Sequence, residues 1–252
     1  TMSTVLIIVP VHNEARLLPG LLPRLKREAK KINAHILAIN DASTDSSLRV
    51  LNNHKIHTLS HSTQLGYGST IQTGYKYAMR FGYDYVIQLD GDGQHDPRCL
   101  SAFLQELKKK ESDIIIGSRY LSPNGYPFPP LGPLYYGTVV RRIGIHLFRW
   151  VLLVLSFRWI TDPTSGYIGF NRDALRFVCG KSFPFDYPDA DAILTFLKNG
   201  LRVKEIPVYM YPVQKDHALH RGCGPIWYVI KVFISLFIAF IRRRENNHDE
   251  RS

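Results

Sequence analysis

The chain is short of several things, and each shortage narrows what it can be. Among 252 residues there are three cysteines, Cys99, Cys179 and Cys223. Their number is odd and their spacing fits no metal site, so they read as free thiols in a reducing compartment. Acidic residues are outnumbered, 21 against 32 lysines and arginines, for a formal net charge of +11. That balance calls for an anionic partner: nucleic acid, a phosphorylated substrate or an anionic membrane surface. No internal repeat is visible. No secretory leader is expected either, because the first apolar run, Val5 to Val11, is short and has no basic residues before it. An apolar run of the length a membrane span needs, about 20 residues, is also missing. The nearest is Pro225 to Ile241, which holds Lys231 and ends in Arg242-Arg243-Arg244.

What is present is organised around one stretch, Tyr85-Val86-Ile87-Gln88-Leu89-Asp90-Gly91-Asp92-Gly93-Gln94-His95-Asp96-Pro97. An apolar, β-branched and aromatic run stops at two aspartates spaced i, i+2. Residues at that spacing on a strand point the same way. Asp90, Asp92 and the Gln94 amide therefore make an oxygen-rich cluster suited to Mg²⁺ or Mn²⁺, a metal that substrate phosphates would complete. The competing reading is a plain polar turn.

Around that stretch the chain alternates. Val5 to Pro10 is a continuous apolar run, as in a strand buried on both faces of a parallel sheet. Helical spacing follows through Leu17, Leu18, Leu21, Leu22 and Leu25. Further strands are expected at His35 to Asn40, Ile56 to Ser60, Tyr85 to Leu89 and Asp113 to Ser118. Helices are expected between them, one capped by Ser43 or Asp45, one entered through the turn at Gly66, and one running from about Cys99 to Lys110. This is a doubly wound, mostly parallel α/β domain. Ligands of such sheets lie beyond the carboxyl ends of the strands, where His12 and Glu14, Asp41, Asp90 and Asp92, and Ser118 and Arg119 collect.

The second half reads differently. Ser122 to Pro133 is a Pro/Gly loop of the kind that acts as a lid. Tyr136 to Trp159 is long, apolar and helical, and carries Arg141, Arg142, Arg149 and Arg158. Asp162 to Tyr167 is a polar turn before a strand at Ile168 to Phe170. A short helix over Asp189 to Lys198 and a strand over Leu201 to Val208 close the core. His217 to Gly224 is a basic loop, and 245–252 is a polar tail without order.

In order, Ile8-Val9-Pro10-Val11-His12-Asn13-Glu14, Asn40-Asp41-Ala42-Ser43-Thr44-Asp45, Asp90 through Pro97, Gly117-Ser118-Arg119-Tyr120 and Asp162-Pro163-Thr164-Ser165-Gly166-Tyr167 resemble the motifs of family 2 glycosyltransferases of the GT-A fold. The likeness is to the polyprenyl-phosphate sugar transferases typified by dolichol-phosphate mannose synthase, and it runs over roughly residues 4 to 212. It departs at Asn40-Asp41-Ala42, where the family has two aspartates and a glycine. It departs again at the C-terminus, where many relatives carry transmembrane helices.

The resemblance implies a GT-A domain over 1–215, with a nucleotide-sugar half to about 120 and an acceptor half after it. A membrane-associated segment would span 216–244. A GDP- or UDP-linked sugar would be held by Pro10, His12, Glu14, Asp41 and Gly66, with Asp90, Asp92 and Gln94 on the metal and diphosphate. Arg119, Arg141 and Arg142 would meet the phosphate of a polyprenyl phosphate, since arginine pairs with phosphate through parallel N–H donors. Their alternative is a solvated helix face. Asp162 is the carboxylate expected to face the acceptor; its alternative is a turn cap. Asp189 and Asp191 are weaker candidates, and His95, His217 and His220 read as loop residues.

The expected enzyme inverts at the sugar and works on the cytoplasmic membrane face as a peripheral or monotopic protein. Pro225 to Ile241 would lie in the interface or pack in a homo-oligomer. Beside this stand a transferase acting on glycan or protein hydroxyls, a nucleotide-sensing scaffold and a nucleic-acid binder. Nucleic acid is disfavoured because the basic residues interleave with aliphatic runs and form no stacking platform.

Overall fold

The computed structural model describes residues 3–121, 139–180 and 190–211, together with Ile238; of residues 139–143 it describes the backbone alone. Seven strands make one sheet: β1 Val5–Val11, β2 Ala34–Asn40, β3 His57–Ser60, β4 Tyr85–Gln88, β5 Ile114–Ser118, β6 Ile168–Asn171 and β7 Val203–Pro207. Their order is β3-β2-β1-β4-β6-β5-β7. β6 runs antiparallel to both neighbours, β4 and β5, and every other pair is parallel. The sheet is thus the mostly parallel α/β sheet expected of a GT-A fold.

The helices are α1 Leu18–Lys31, α2 Ser47–Asn53, α3 Tyr67–Arg80, α4 Leu100–Lys108, α5 Val139–Ser156, α6 Arg172–Val178 and α7 Ala190–Lys198. They cover both faces, so β1 is buried at all seven positions, which is why it reads as an unbroken apolar run. One core layer packs Tyr75, Phe148, Phe170 and Phe196 with Leu6 and Ile8. The other packs Leu18, Leu21, Leu22, Phe103 and Tyr167 with Ile7 and Val9.

Three local details depart from expectation. The fourth helix is preceded by a 3-10 turn, Pro97–Cys99, capped by the Asp96 carboxylate, so α4 proper begins at Leu100. Asp45 rather than Ser43 serves the start of α2, accepting from Ser47 N at 2.8 Å, while Ser43 accepts from Asn13 N. α6, capped by Asn171 on Ala174 N, has no counterpart among the expected elements.

Among the described residues no helix is long and apolar enough to cross a membrane. The expected lid at Ser122 to Pro133, Asp189, His217 and His220, Cys223, and the segments 216–244 and 245–252 lie outside the described residues, Ile238 excepted.

Candidate active site

The carboxyl ends of β1, β2 and β4 meet at one edge. Gly91 N donates to Pro10 O at 3.2 Å, and a Cβ on Gly91 would stand 2.8 Å from that oxygen. A glycine here lets the Asp90–Asp92 turn lie directly on the end of β1. Asp90, Asp92 and Glu14 thereby share one neighbourhood, and burial, with carboxylate repulsion at Glu14 and Asp92, is recorded in their acidity. Burial, then Asp92, Asp90 and Asp45, push the Glu14 carboxyl up to about 8. Burial pushes Asp90 to about 6 against the pull of the Tyr67 hydroxyl and Arg119. Asp92 is raised by burial and by Asp90. Among the described residues no three His, Cys, Asp or Glu side chains form a ready-made metal cage. Two crowded carboxylates at a strand end instead fit a hard cation that takes the rest of its oxygens from substrate. The Gln94 amide faces the same place and bonds to Asp92 Oδ2, while Gln94 N donates to Asp92 Oδ1 at 2.9 Å.

Asp90 is held by a directed chain of hydrogen bonds. The Tyr75 hydroxyl donates to Gln88 Oε1. Gln88 Nε2 donates to the Tyr67 oxygen at 2.8 Å and to Gly166 O at 3.1 Å. The Tyr67 hydroxyl then gives its proton to Asp90 Oδ1 at 2.9 Å. With its carbonyl and amide committed, Gln88 leaves Tyr67 one direction in which to donate. His95, expected to be a loop residue, is buried: Nδ1 accepts from Asp90 N at 2.9 Å, and the ring stacks on Tyr167 at 4.9 Å. Burial lowers its pKa to about 4, so the imidazole is neutral at neutral pH.

Asp41 is almost fully buried. Its carboxylate accepts from Leu65 N at 2.8 Å and Gly66 N at 2.9 Å, and His61 Nδ1 lies 2.8 Å away. Burial opposes its ionisation, but these bonds outweigh burial and lower its pKa. It therefore fastens the turn in which Gly66, at φ +88°, opens α3. Glycine suits that left-handed backbone. His12 Nδ1 lies 2.7 Å from Asp41 O.

The far side of the edge is built on the turn after α5. Asp162 is completely buried. Its carboxylate receives Arg119 Nε and Nη2, each at 2.6 Å, and Arg119 N at 3.1 Å. Despite burial, Arg119 holds the Asp162 carboxyl below its usual range. Arg119 Nη2 also donates to Thr164 Oγ1 at 2.9 Å. Glu205 on β7 grips the turn from the other side, accepting from Thr161 N and Asp162 N, both at 2.8 Å. The residue expected to face the acceptor as a carboxylate and the one expected to meet its phosphate are thus each other's ion-pair partner, and Asp162 has no exposed surface. Arg141 and Arg142 lie on α5, with side chains outside the described residues. Arg149, about two turns further along α5, reaches the site: Nε donates to Thr161 O at 2.7 Å, and the guanidinium lies 4.4 Å over the Tyr120 ring. Asp191 is buried in α7, where it serves Ala192 N. Sequence reasoning passed over Tyr67, Gln88 and Glu205, whose roles rest on contacts between distant elements.

The family model described as "Glycosyl transferase family 2" matches residues 6–178, which spans every strand from β1 to β6.

The chain belongs to glycosyl transferase family 2.

This family 2 chain is 27% identical to the undecaprenyl-phosphate mannosyltransferase of Micrococcus luteus, over 81% of this chain and 82% of that one. It is 22% identical to the UDP-N-acetylglucosamine–dolichyl-phosphate N-acetylglucosaminyltransferase of Methanococcus voltae, over 92% and 94%. In three dimensions it superposes on glucosyl-3-phosphoglycerate synthase of Mycobacterium tuberculosis, crystallised with Mn²⁺, UDP-glucose and phosphoglyceric acid. The TM-score is 0.71 at 12% identity, covering 97% of this chain and 81% of that one. At that identity the match speaks for the fold. As a family 2 member, the protein is a glycosyltransferase.

Proposed function

We propose that this glycosyltransferase moves a sugar, with inversion, from a nucleotide-sugar to a polyprenyl phosphate at the cytoplasmic membrane face. The observation that carries the acceptor class is the Arg119–Asp162 pair. A hydroxyl acceptor needs a carboxylate to take its proton as it attacks. Asp162, which stands where such a base is expected, is buried and neutralised by Arg119. A phosphate monoester has its second pKa near about 6 and is already anionic at neutral pH. It needs positive charge and aim, which is what this side of the site offers. The two curated relatives named above, matched over at least four-fifths of both chains, carry lipid phosphates in their names.

On the donor side, Pro10, His12, Glu14, Asp41 and Gly66 would bound the base and ribose, with Asp41 acting by fixing the Gly66 turn. Asp90, Asp92 and Gln94 would hold Mg²⁺ or Mn²⁺. When bound, the cation offsets the charge developing on the leaving diphosphate. The Mn²⁺ in the structural neighbour is in keeping with this. Tyr67 and His95 hold Asp90 in place for it.

Peripheral membrane association is supported by α5. Leu147, Trp150 and Val154 follow at spacings of three and four and are exposed, and Phe157, just past the end of the helix, is 89% exposed. Trp150 meets Trp159 edge-on at 5.8 Å. An exposed apolar helix stripe with indoles beside it suits the headgroup boundary.

The test is a panel of radiolabelled GDP- and UDP-sugars offered with a short-chain polyprenyl phosphate in anionic vesicles. Label should pass into the organic extract from one donor class, need a divalent cation, and fail with the free polyprenol. Transfer to polyprenol or to a soluble glycan instead would overturn the acceptor assignment.

A further inference from the structure

Among the described residues Arg149 is a buried cation without a matching anion. It is 9% exposed. Its Nε is used by Thr161 O and its flat face by Tyr120. Its Nη2 is buried and makes no hydrogen bond among the described residues. The carboxylates on the turn that Arg149 binds are spoken for: Asp162 by Arg119, and Glu205 by Thr161 and Asp162. Neither forms an ion pair with Arg149. Taking a guanidinium out of water is costly unless an anion and hydrogen-bond acceptors compensate it, and buried donors left unsatisfied are uncommon. The cost is borne at a telling position. The Arg119 guanidinium lies 5.8 Å from the centre of the same Tyr120 ring that Arg149 stacks on at 4.4 Å. Thr161, which anchors Arg149, directly precedes Asp162, which anchors Arg119. Arg149 also sits between Phe148, which is buried in the core, and Trp150, which is exposed on the apolar stripe of α5.

We infer that Arg149 is a specificity-determining ligand for the phosphate of the lipid acceptor, supplying through Nη2 a donor that only a phosphoryl oxygen completes. This rests on the acceptor proposed above and adds the residue that reads its headgroup. Tyr120 sets the distance between Arg149 and Arg119, and the Thr161–Asp162 step ties both to one turn. A polyprenol, which lacks the phosphoryl oxygens, leaves the Arg149 charge uncompensated and is rejected for that reason. The donor diphosphate is served from the other side of the edge, by the Asp90–Asp92 end.

The test compares wild type with Arg149→Met and Arg149→Lys in the full chain. Steady-state constants are measured for both substrates, together with binding of a short-chain polyprenyl phosphate and of the matching polyprenol. Loss of a hydrogen bond to a charged group should raise KM for the lipid phosphate about tenfold or more in Arg149→Met, with KM for the nucleotide-sugar unchanged. The preference of the protein for polyprenyl phosphate over polyprenol should shrink by a similar factor. Arg149→Lys keeps the charge but loses the planar fork, and should fall between the two. A residue that only packs would not alter the phosphate-to-alcohol preference. If that preference is the same in wild type and both variants, or if KM rises equally for both substrates, the inference is overturned. If wild type itself transfers no label to lipid, the acceptor assignment has failed as well; if wild type transfers and the variants match it, only the role of Arg149 has failed.

Discussion

The two sides of the sheet edge carry opposite electrostatic debts. On the donor side, Glu14, Asp90 and Asp92 crowd together and all three carboxyls are raised. On the acceptor side, Asp162 is fully matched and lowered by Arg119, while Arg149 is a surplus cation. An isolated fold would have little reason to store either excess, since each costs stability. Together they describe a reaction in which the donor's diphosphate arrives with a cation and the acceptor arrives as an anion. Nearby scaffolding is closed by ordinary means: Asp41 on Leu65 and Gly66 N–H groups, Asp96 on Arg98.

The sharpest way to break the contrast is to remove the donor-side charge. Asp92→Ala should lower sugar transfer at least about 100-fold, as loss of a main electrostatic group at a leaving group does, while the melting transition persists. Full turnover by Asp92→Ala in the presence of EDTA would remove the metal from the reading. The acceptor side should respond in stability instead. Asp162→Asn leaves Arg119 buried without its counter-ion, and breaking one partner of a buried pair costs about 3–5 kcal/mol. Urea unfolding measures this. A change below about 1 kcal/mol, the usual worth of an exposed pair, would mean that the pair is solvated in solution.

What the sequence makes legible, and what it hides, follows the same division. β1, β4 and β5 are buried on both faces and announce themselves as apolar runs. The Asp90–Asp92 pair is visible because it interrupts such a run. The partnership of Arg119 with Asp162 joins residues 43 apart, and nothing in local spacing encodes it; each was therefore assigned to the acceptor separately. The Tyr75–Gln88–Tyr67 chain links α3 to β4 through single hydrogen bonds and leaves no periodic trace. α6 has seven residues, about two turns, too few for a helical pattern to repeat. The strand at Ile168 could be found, but its reversal between β4 and β5 depends on the route of the preceding chain rather than on its own residues.

A smaller effect isolates the scaffold of Asp90. Tyr67→Phe removes one hydroxyl and keeps the ring. Partners that orient metal ligands are typically worth 10–100-fold in metal affinity, so Mn²⁺ binding, followed by electron paramagnetic resonance, should weaken by about tenfold. Unaltered Mn²⁺ affinity in Tyr67→Phe would show that Asp90 is held by the backbone and His95 alone.

The smallest expected effect is a slope. Glu14 has a folded-state pKa of about 8 against an ordinary 4.5, and Asp90 about 6 against 3.8. A carboxyl raised by folding binds its proton more tightly in the native state than in the unfolded chain. Its stabilising contribution is therefore complete below the unfolded value and drains away as pH rises through the folded value. In the presence of EDTA, stability should decline between pH 3.8 and about pH 8, the window those two groups set. Asp41 and Asp162 act in the opposite sense, because their lowered pKa values make them lose stability only as pH falls below the ordinary carboxylate range. The crowded, raised carboxyls and the well-paired, lowered ones are thus separable on one pH axis. Thermal melts at constant ionic strength should show the decline, and Glu14→Gln should flatten its upper part. Saturating Mn²⁺ should flatten it further, since a bound cation favours the ionised carboxylates and so cancels the advantage of the proton. A melting temperature that rises steadily from pH 5 to pH 8 in EDTA would mean that the three carboxylates are not crowded in solution, and the electrostatic contrast between the two sides would fall with them.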